Sequence, residues 1–126
     1  MYQYRKEVKL GYSEAVAKAR EELQKEGFGV ITEIDVKATL KKKLNVDFDD
    51  YMILGACNPA MAHKALQAEQ DLGLMLPCNM IVYSKKGRTF AAAIKPTVQL
   101  EKIGNRKLDE VASLVEGKLK KVIDSI

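Results

Sequence analysis

"CNMIVYSKKGRTFAAAIKP", residues 78–96, decides the fold. Two runs of apolar residues flank Lys85, Lys86 and Gly87, which reads as a β-hairpin with its turn at those three positions. A chain with a hairpin at its centre needs further strands to pair with and helices to cover them. On the N-terminal side, "YMILGACN" (51–58) is mostly apolar and reads as a central strand. Pro59 then suits the first position of a helix, where its missing N–H costs nothing, and Asn58 is the natural cap. That helix runs through "AMAHKALQAE" (60–69). "DLGLMLP" (71–77) reads as a loop or a short strand.

Nearer the N-terminus, "YQYRKEVKL" (2–10) alternates at period two, with Tyr2, Tyr4 and Lys6 on one side and Gln3, Arg5 and Glu7 on the other. Ser13 offers a helix cap with Glu14 beside the positive dipole end. Val16, Ala19 and Leu23 repeat at helical spacing, and Gly27 ends the helix. "FGVITEIDV" (28–36) is a second strand, with Val30, Thr32, Ile34 and Val36 on one face and Ile31, Glu33 and Asp35 on the other. Strand, helix and strand in this order predict a right-handed crossover onto a parallel neighbour. "VKATLKKKL" (36–44) reads as a short helix capped by Asp35. On the C-terminal side, "TVQLEKIG" (97–104) reads as a helical turn or two. Leu108, Val111, Ala112, Val115, Leu119, Val122 and Ile123 form the apolar stripe of a long terminal helix. The expected architecture is one α+β two-layer domain over residues 1–126. Its mixed sheet has four or five strands, and its helices pack mainly on one face. It opens with a βαβ unit and ends in the long helix.

Composition narrows the function classes. Hydrophobic residues make up 47% and charged residues 30% of the 126, the balance of a globular protein. No apolar run approaches the roughly 18 residues that span a bilayer, and the first ten residues carry no apolar signal core. The expected compartment is the cytoplasm, with no membrane partner. Net charge is +4, but acids interleave with bases along both long helical segments. The exceptions are "LKKKL" (40–44) and residues 72–100, where Lys85, Lys86, Arg88 and Lys95 stand without an acid. Trp is absent and no nucleic-acid motif is present, so nucleic acid is not the expected partner.

Chemistry concentrates at the third strand and the helix after it. Cys57 sits just before a helix N-terminus, where unpaired N–H groups and the dipole favour a thiolate or a bound anion. His63 lies in the second turn of that helix, and Cys78 opens a later strand after Pro77. Cys57, His63 and Cys78 together would suit zinc with one open position. Cys57 with His63 as proton carrier would be a thiol enzyme. The plain alternative is two core thiols and a surface histidine. Glu33 and Asp35 share a strand face and would serve acid–base work in a cleft; otherwise they are a solvent-facing edge and a helix cap. Two cysteines are too few for a secreted disulfide framework.

Three blocks, "GFGVITEIDVKATLKKKL", "YMILGACNPAMAHKAL" and "GLMLPCNMIVY", together resemble the bacterial and archaeal family called Domain of Unknown Function 302, over about 120 residues. The resemblance implies a compact α+β domain that often pairs as a homodimer, and it implies no defined reaction. The family motif maps onto Glu33, Asp35, Gly55, Cys57, Asn58, Pro59, His63, Pro77, Cys78 and Asn79. The leading expectation is a ligand-binding or sensing domain with a pocket near Cys57, Asn58, His63 and Cys78, and with Glu33, Asp35 and Asn79 as further ligand-binding residues. Its ligand would be a small molecule, an anion or a metal ion. The alternatives are the thiol enzyme and a homodimeric interaction module with no small-molecule site.

Overall fold

The computed structural model describes residues 1–126 and holds a five-stranded sheet with helices against it. In chain order the elements are β1 (Gln3–Val8), α1 (Tyr12–Lys25), β2 (Gly29–Asp35), α2 (Val36–Leu44), β3 (Tyr51–Cys57), α3 (Pro59–Ala68), β4 (Cys78–Lys85), β5 (Arg88–Ile94), the one-turn α4 (Pro96–Gln99) and α5 (Asp109–Ser125). The α+β class and the long terminal helix are as the sequence predicts.

The hairpin forms as read. Lys86 and Gly87 both take positive φ (52° and 78°), the conformation of the two-residue turn that matches strand twist. Lys85 pairs with Arg88 as the last rung of the ladder. The local caps also hold. Asn58 Oδ1 accepts from the Met61 N–H at 3.4 Å, with Pro59 at the first helical position. Asp35 Oδ1 accepts from the Ala38 N–H at 3.0 Å. Gly27 closes α1 at φ 84°, and the Phe28 N–H returns to the Leu23 carbonyl at 3.0 Å.

Four expectations need correction. The sheet is antiparallel throughout, not mixed, with strand order β1-β5-β4-β3-β2. β1 and β2 are therefore not neighbours. They run the same way at opposite edges, and the chain through α1 passes three intervening strands. The cause is the hairpin, whose second strand takes the place beside β1. Second, α1 begins at Tyr12 behind Gly11, so Ser13 lies in the first turn and caps nothing. Third, residues 70–75 form a 3₁₀ helix, neither loop nor strand. Fourth, the β2 register shifts between Val30 and Thr32. That bulge turns Val30 to the helix-covered face with Ala56, while Thr32 and Ile34 pair with Gly55 and Ile53 on the other face.

The core lies between one sheet face and α1, α3 and α5. Leu54, Met80, Val82, Ala91 and Ala93 supply the strand side; Ala15, Ala19, Leu23, Leu119 and Ile123 supply the helix side, all 3% exposed or less. Tyr4 Oη donates to Asp124 Oδ1 at 2.6 Å, tying β1 to the end of α5. No helix is long and apolar enough to cross a membrane.

Two carboxylates contribute to the fold's acid response. Glu22 on α1 accepts from Lys25 Nζ at 2.8 Å and lies 3.2 Å from Lys18 Nζ; these hydrogen bonds hold its carboxyl below the ordinary 4.5. Burial pushes Glu116 upward, but Thr97 reverses the balance, donating its hydroxyl at 2.5 Å and its N–H at 3.1 Å, and the net shift is down. With both values lowered on folding, the unfolded chain binds more protons as pH falls. This part of the stability is present above about pH 4.5 and is lost as pH drops through the folded values. Thermal melts should show a flat plateau from pH 7 to about 5 and a falling limb below about 4.5. The limb should be shallower in Thr97→Ala.

Candidate functional site

β3 and β4 run side by side, and Ala56 pairs with Cys78. Cys57, one residue further along, therefore ends its strand beside Cys78 at one end of the sheet. Asn58 follows and starts α3. Over this end lies a cavity of about 290 Å³. Ala56, Cys57 and Cys78 form its sheet side, and Met61 and Ala65 face it from α3. Val111, Ala112 and Val115 close it from α5; Leu72, Leu76 and Pro77 come from the segment between α3 and β4; Leu100 comes from the turn after α4. Ile31 and Leu66, both exposed, stand at its rim.

The lining is almost wholly apolar. None of its eighteen residues is charged, and Asn58 carries the single amide side chain. Elsewhere in the chain, no buried side-chain nitrogen or oxygen lacks a hydrogen-bond partner, so no orphaned polar group points to a missing anion. Both cysteines are free thiols. Burial, followed by the neighbouring Cys57, pushes the Cys78 thiol up to about 11. At neutral pH Cys78 is a protonated, apolar wall group.

The residues singled out in the sequence divide into two sets. Cys57, Asn58 and Cys78 converge on the cavity. His63 does not join them: it is exposed on α3 and lines no part of the cavity. No group of three or more His, Cys, Asp or Glu side chains is placed to hold a metal ion, so the zinc arrangement of Cys57, His63 and Cys78 is not formed. A helix presents its apolar side to the core, and His63 falls between Ala62 and Ala65 on the side turned to solvent.

Asn79 lies on the opposite sheet face from Cys78 and is exposed. Glu33 forms an ion pair with Arg20 of α1, and Asp35 is spent on capping α2. The two carboxylates are thus an edge contact and a cap, the plainer of the two sequence readings. What sequence reasoning missed is most of the cavity's wall. Its walls come from six separate segments, and only the Cys57–Asn58 corner carried a local signal.

Gly55 and Pro77 have a packing role beside the site. A Cβ at Gly55 would lie 1.9 Å from Thr32 Oγ1 and 2.7 Å from Pro77 Cγ. The β3 backbone is therefore roofed at this point by β2 and by the segment leading into Cys78.

A family model described as Domain of unknown function DUF302 matches residues 4–126. Among solved structures, the chain is similar to the crystal structure of an uncharacterized conserved protein DUF302 from Bacillus stearothermophilus. The two share 32% identity and superpose with a TM-score of 0.93, over 99% of this chain and 98% of that one. No curated protein matches.

Proposed function

The chain belongs to the DUF302 family, and on that premise we propose that it is a small-ligand binding or sensing domain, one domain over residues 1–126, acting as a cytoplasmic homodimer. The observation that carries the reading is the cavity beside Cys57, Asn58 and Cys78. About 290 Å³ matches the lower end of small-molecule sites, which are mostly apolar with a few placed polar groups. The uncharged lining selects among ligand classes. A metal ion or a free anion would leave its charge unpaired against aliphatic walls, at a cost of several kcal/mol. An uncharged, largely apolar molecule would instead gain roughly 25 cal/mol per Å² of surface removed from water. Its one polar end would sit at Asn58. Two free thiols at the site accord with a reducing compartment.

The test is titration with the uncharged fluorophore N-phenyl-1-naphthylamine. One saturable site per 14.1 kDa chain is expected. Ala65→Leu places a larger side chain in the cavity, and it should weaken binding at least tenfold without lowering the melting temperature. Ala112→Val provides the same block from α5. Absence of saturable binding, or binding indifferent to both substitutions in folded protein, would overturn the proposal.

A further inference from the structure

We infer that the cavity's ligand is an amphiphile. Its alkyl part fills the apolar hollow, and a zwitterionic head, pairing an anionic group with an ammonium, occupies a second hollow beside it. The inference rests on the small-ligand reading above and names that ligand's class. A zwitterion carries no net charge, as that reading requires. Any polar atom held by Asn58 belongs to the buried part, and the head lies outside the apolar walls.

The second hollow, of about 400 Å³, lies between the segment after α4 and the start of α5. Thr97, Glu101, Asn105, Arg106, Asp109 and Ser113 give it a polar lining. Leu100 and Ala112 line both hollows, so the two abut there. Helical phase explains the junction. Asp109 and Ser113, four residues apart, face the polar hollow; Val111 and Val115, also four apart, face the apolar one; Ala112 falls on the boundary. Its side chain is a single methyl. The partition is therefore mainly Leu100, a half-buried side chain free to change rotamer. The backbone on either side of Leu100 is pinned to the chain between α3 and β4. Gln99 Nε2 donates to the Met75 carbonyl at 3.4 Å, and Asn105 Nδ2 donates to the Ala68 carbonyl at 2.8 Å. These contacts hold the polar hollow in a fixed position against the apolar one.

The charges select the head. Glu101, Arg106 and Asp109 are exposed, and none of them forms an ion pair within the chain. An anionic head would meet two carboxylates, and a cationic head would leave Arg106 unmatched. A head with both signs suits all three. Its anionic oxygens face the Arg106 guanidinium, a fork that matches phosphate or carboxylate, and its ammonium lies towards Glu101 and Asp109. Exposed charge pairs contribute little each, so the alkyl part supplies most of the affinity and the head supplies selectivity. The apolar hollow, at about 290 Å³, is roughly ten times one water's share of about 30 Å³. That is room for a single alkyl chain of medium length.

The experiment is displacement of N-phenyl-1-naphthylamine from the full-length chain by four octyl compounds, kept below the concentrations at which they form micelles. They are octylphosphocholine, octyl sulfate, octyltrimethylammonium and 1-octanol. Octylphosphocholine should displace the fluorophore about tenfold more tightly than the other three, the scale of a few exposed charge contacts. Glu101→Gln and Arg106→Gln, both on the surface, should each cut that advantage to about threefold or less and leave 1-octanol unchanged. Calorimetric titration with phosphocholine alone should show no binding where octylphosphocholine saturates. Equal displacement by all four compounds overturns the inference, as does a stronger effect of octyl sulfate or octyltrimethylammonium. So does an octylphosphocholine advantage that survives both substitutions. Phosphocholine that binds alone as tightly as octylphosphocholine would make the polar hollow a separate site and overturn the amphiphile. In each of these cases the apolar site stands. Failure of N-phenyl-1-naphthylamine itself to bind overturns the small-ligand reading, and the amphiphile with it.

Discussion

Gly55→Ala should lower stability by about 2–3 kcal/mol, the range of overpacking in a tight core, and the melting temperature by roughly 10 °C for a chain of this length. Gly55 lies in β3, between two strands. Its missing Cβ is the space into which Thr32 and Pro77 fit. The 1.9 Å approach to Thr32 Oγ1 can be relieved by rotating that hydroxyl, since Thr32 is exposed. The 2.7 Å approach to Pro77 Cγ cannot, because the ring has no rotamer to retreat to. Thr32→Ala should therefore recover part of the loss in the double variant and leave the remainder. Urea denaturation of the four proteins in the cycle measures both terms. Full additivity of the two substitutions would contradict the packing described.

Cys78 should react with iodoacetamide about 100-fold more slowly in the folded chain than after unfolding. The thiolate is the reactive species, and raising the thiol from 9.0 to about 11 lowers the thiolate fraction near pH 8 by about that factor. The measurement uses Cys57→Ser, so that one thiol remains, with labelling followed by mass. The sign also fixes an alkaline response. Above pH 9 the unfolded thiol ionises while the folded one stays neutral. Stability is therefore full below about 9 and falls as pH rises towards about 11. In Cys78→Ala that decline should be smaller. Equal labelling rates in folded and unfolded chain would mean that Cys78 is not buried in an apolar wall.

The elements that were legible in the sequence are those fixed by contacts a few residues long. Asn58 with Pro59, Asp35 before α2, Gly27 after α1 and the Lys86–Gly87 turn each satisfy backbone groups within their own neighbourhood. The pairing of β1 was not legible. Nothing in residues 2–10 states that their partner is β5, more than eighty residues later, and the βαβ pattern has a nearer solution that the hairpin pre-empts. The bulge after Val30 was hidden for a similar reason: one extra residue reverses which side chains face the core, and strict alternation cannot register it. At the site, the cysteines' meeting was legible because each sits at the end of a recognisable strand. The position of His63 was misjudged because helical phase, not sequence proximity, decides where a ring points. Its neighbours Ala62 and Ala65 take the cavity side, leaving the imidazole in solvent.

The central claim is that the apolar hollow above the β3 and β4 ends is where this protein takes up a ligand. Backbone amide shifts recorded while 1-octanol is added to the labelled full-length chain test it most directly. The account predicts saturable changes clustered at Cys57, Asn58, Met61, Cys78, Leu100 and Val115. Changes confined to Ile53, Ile81 and Tyr83 on the open sheet face, or scattered without saturation, would contradict it.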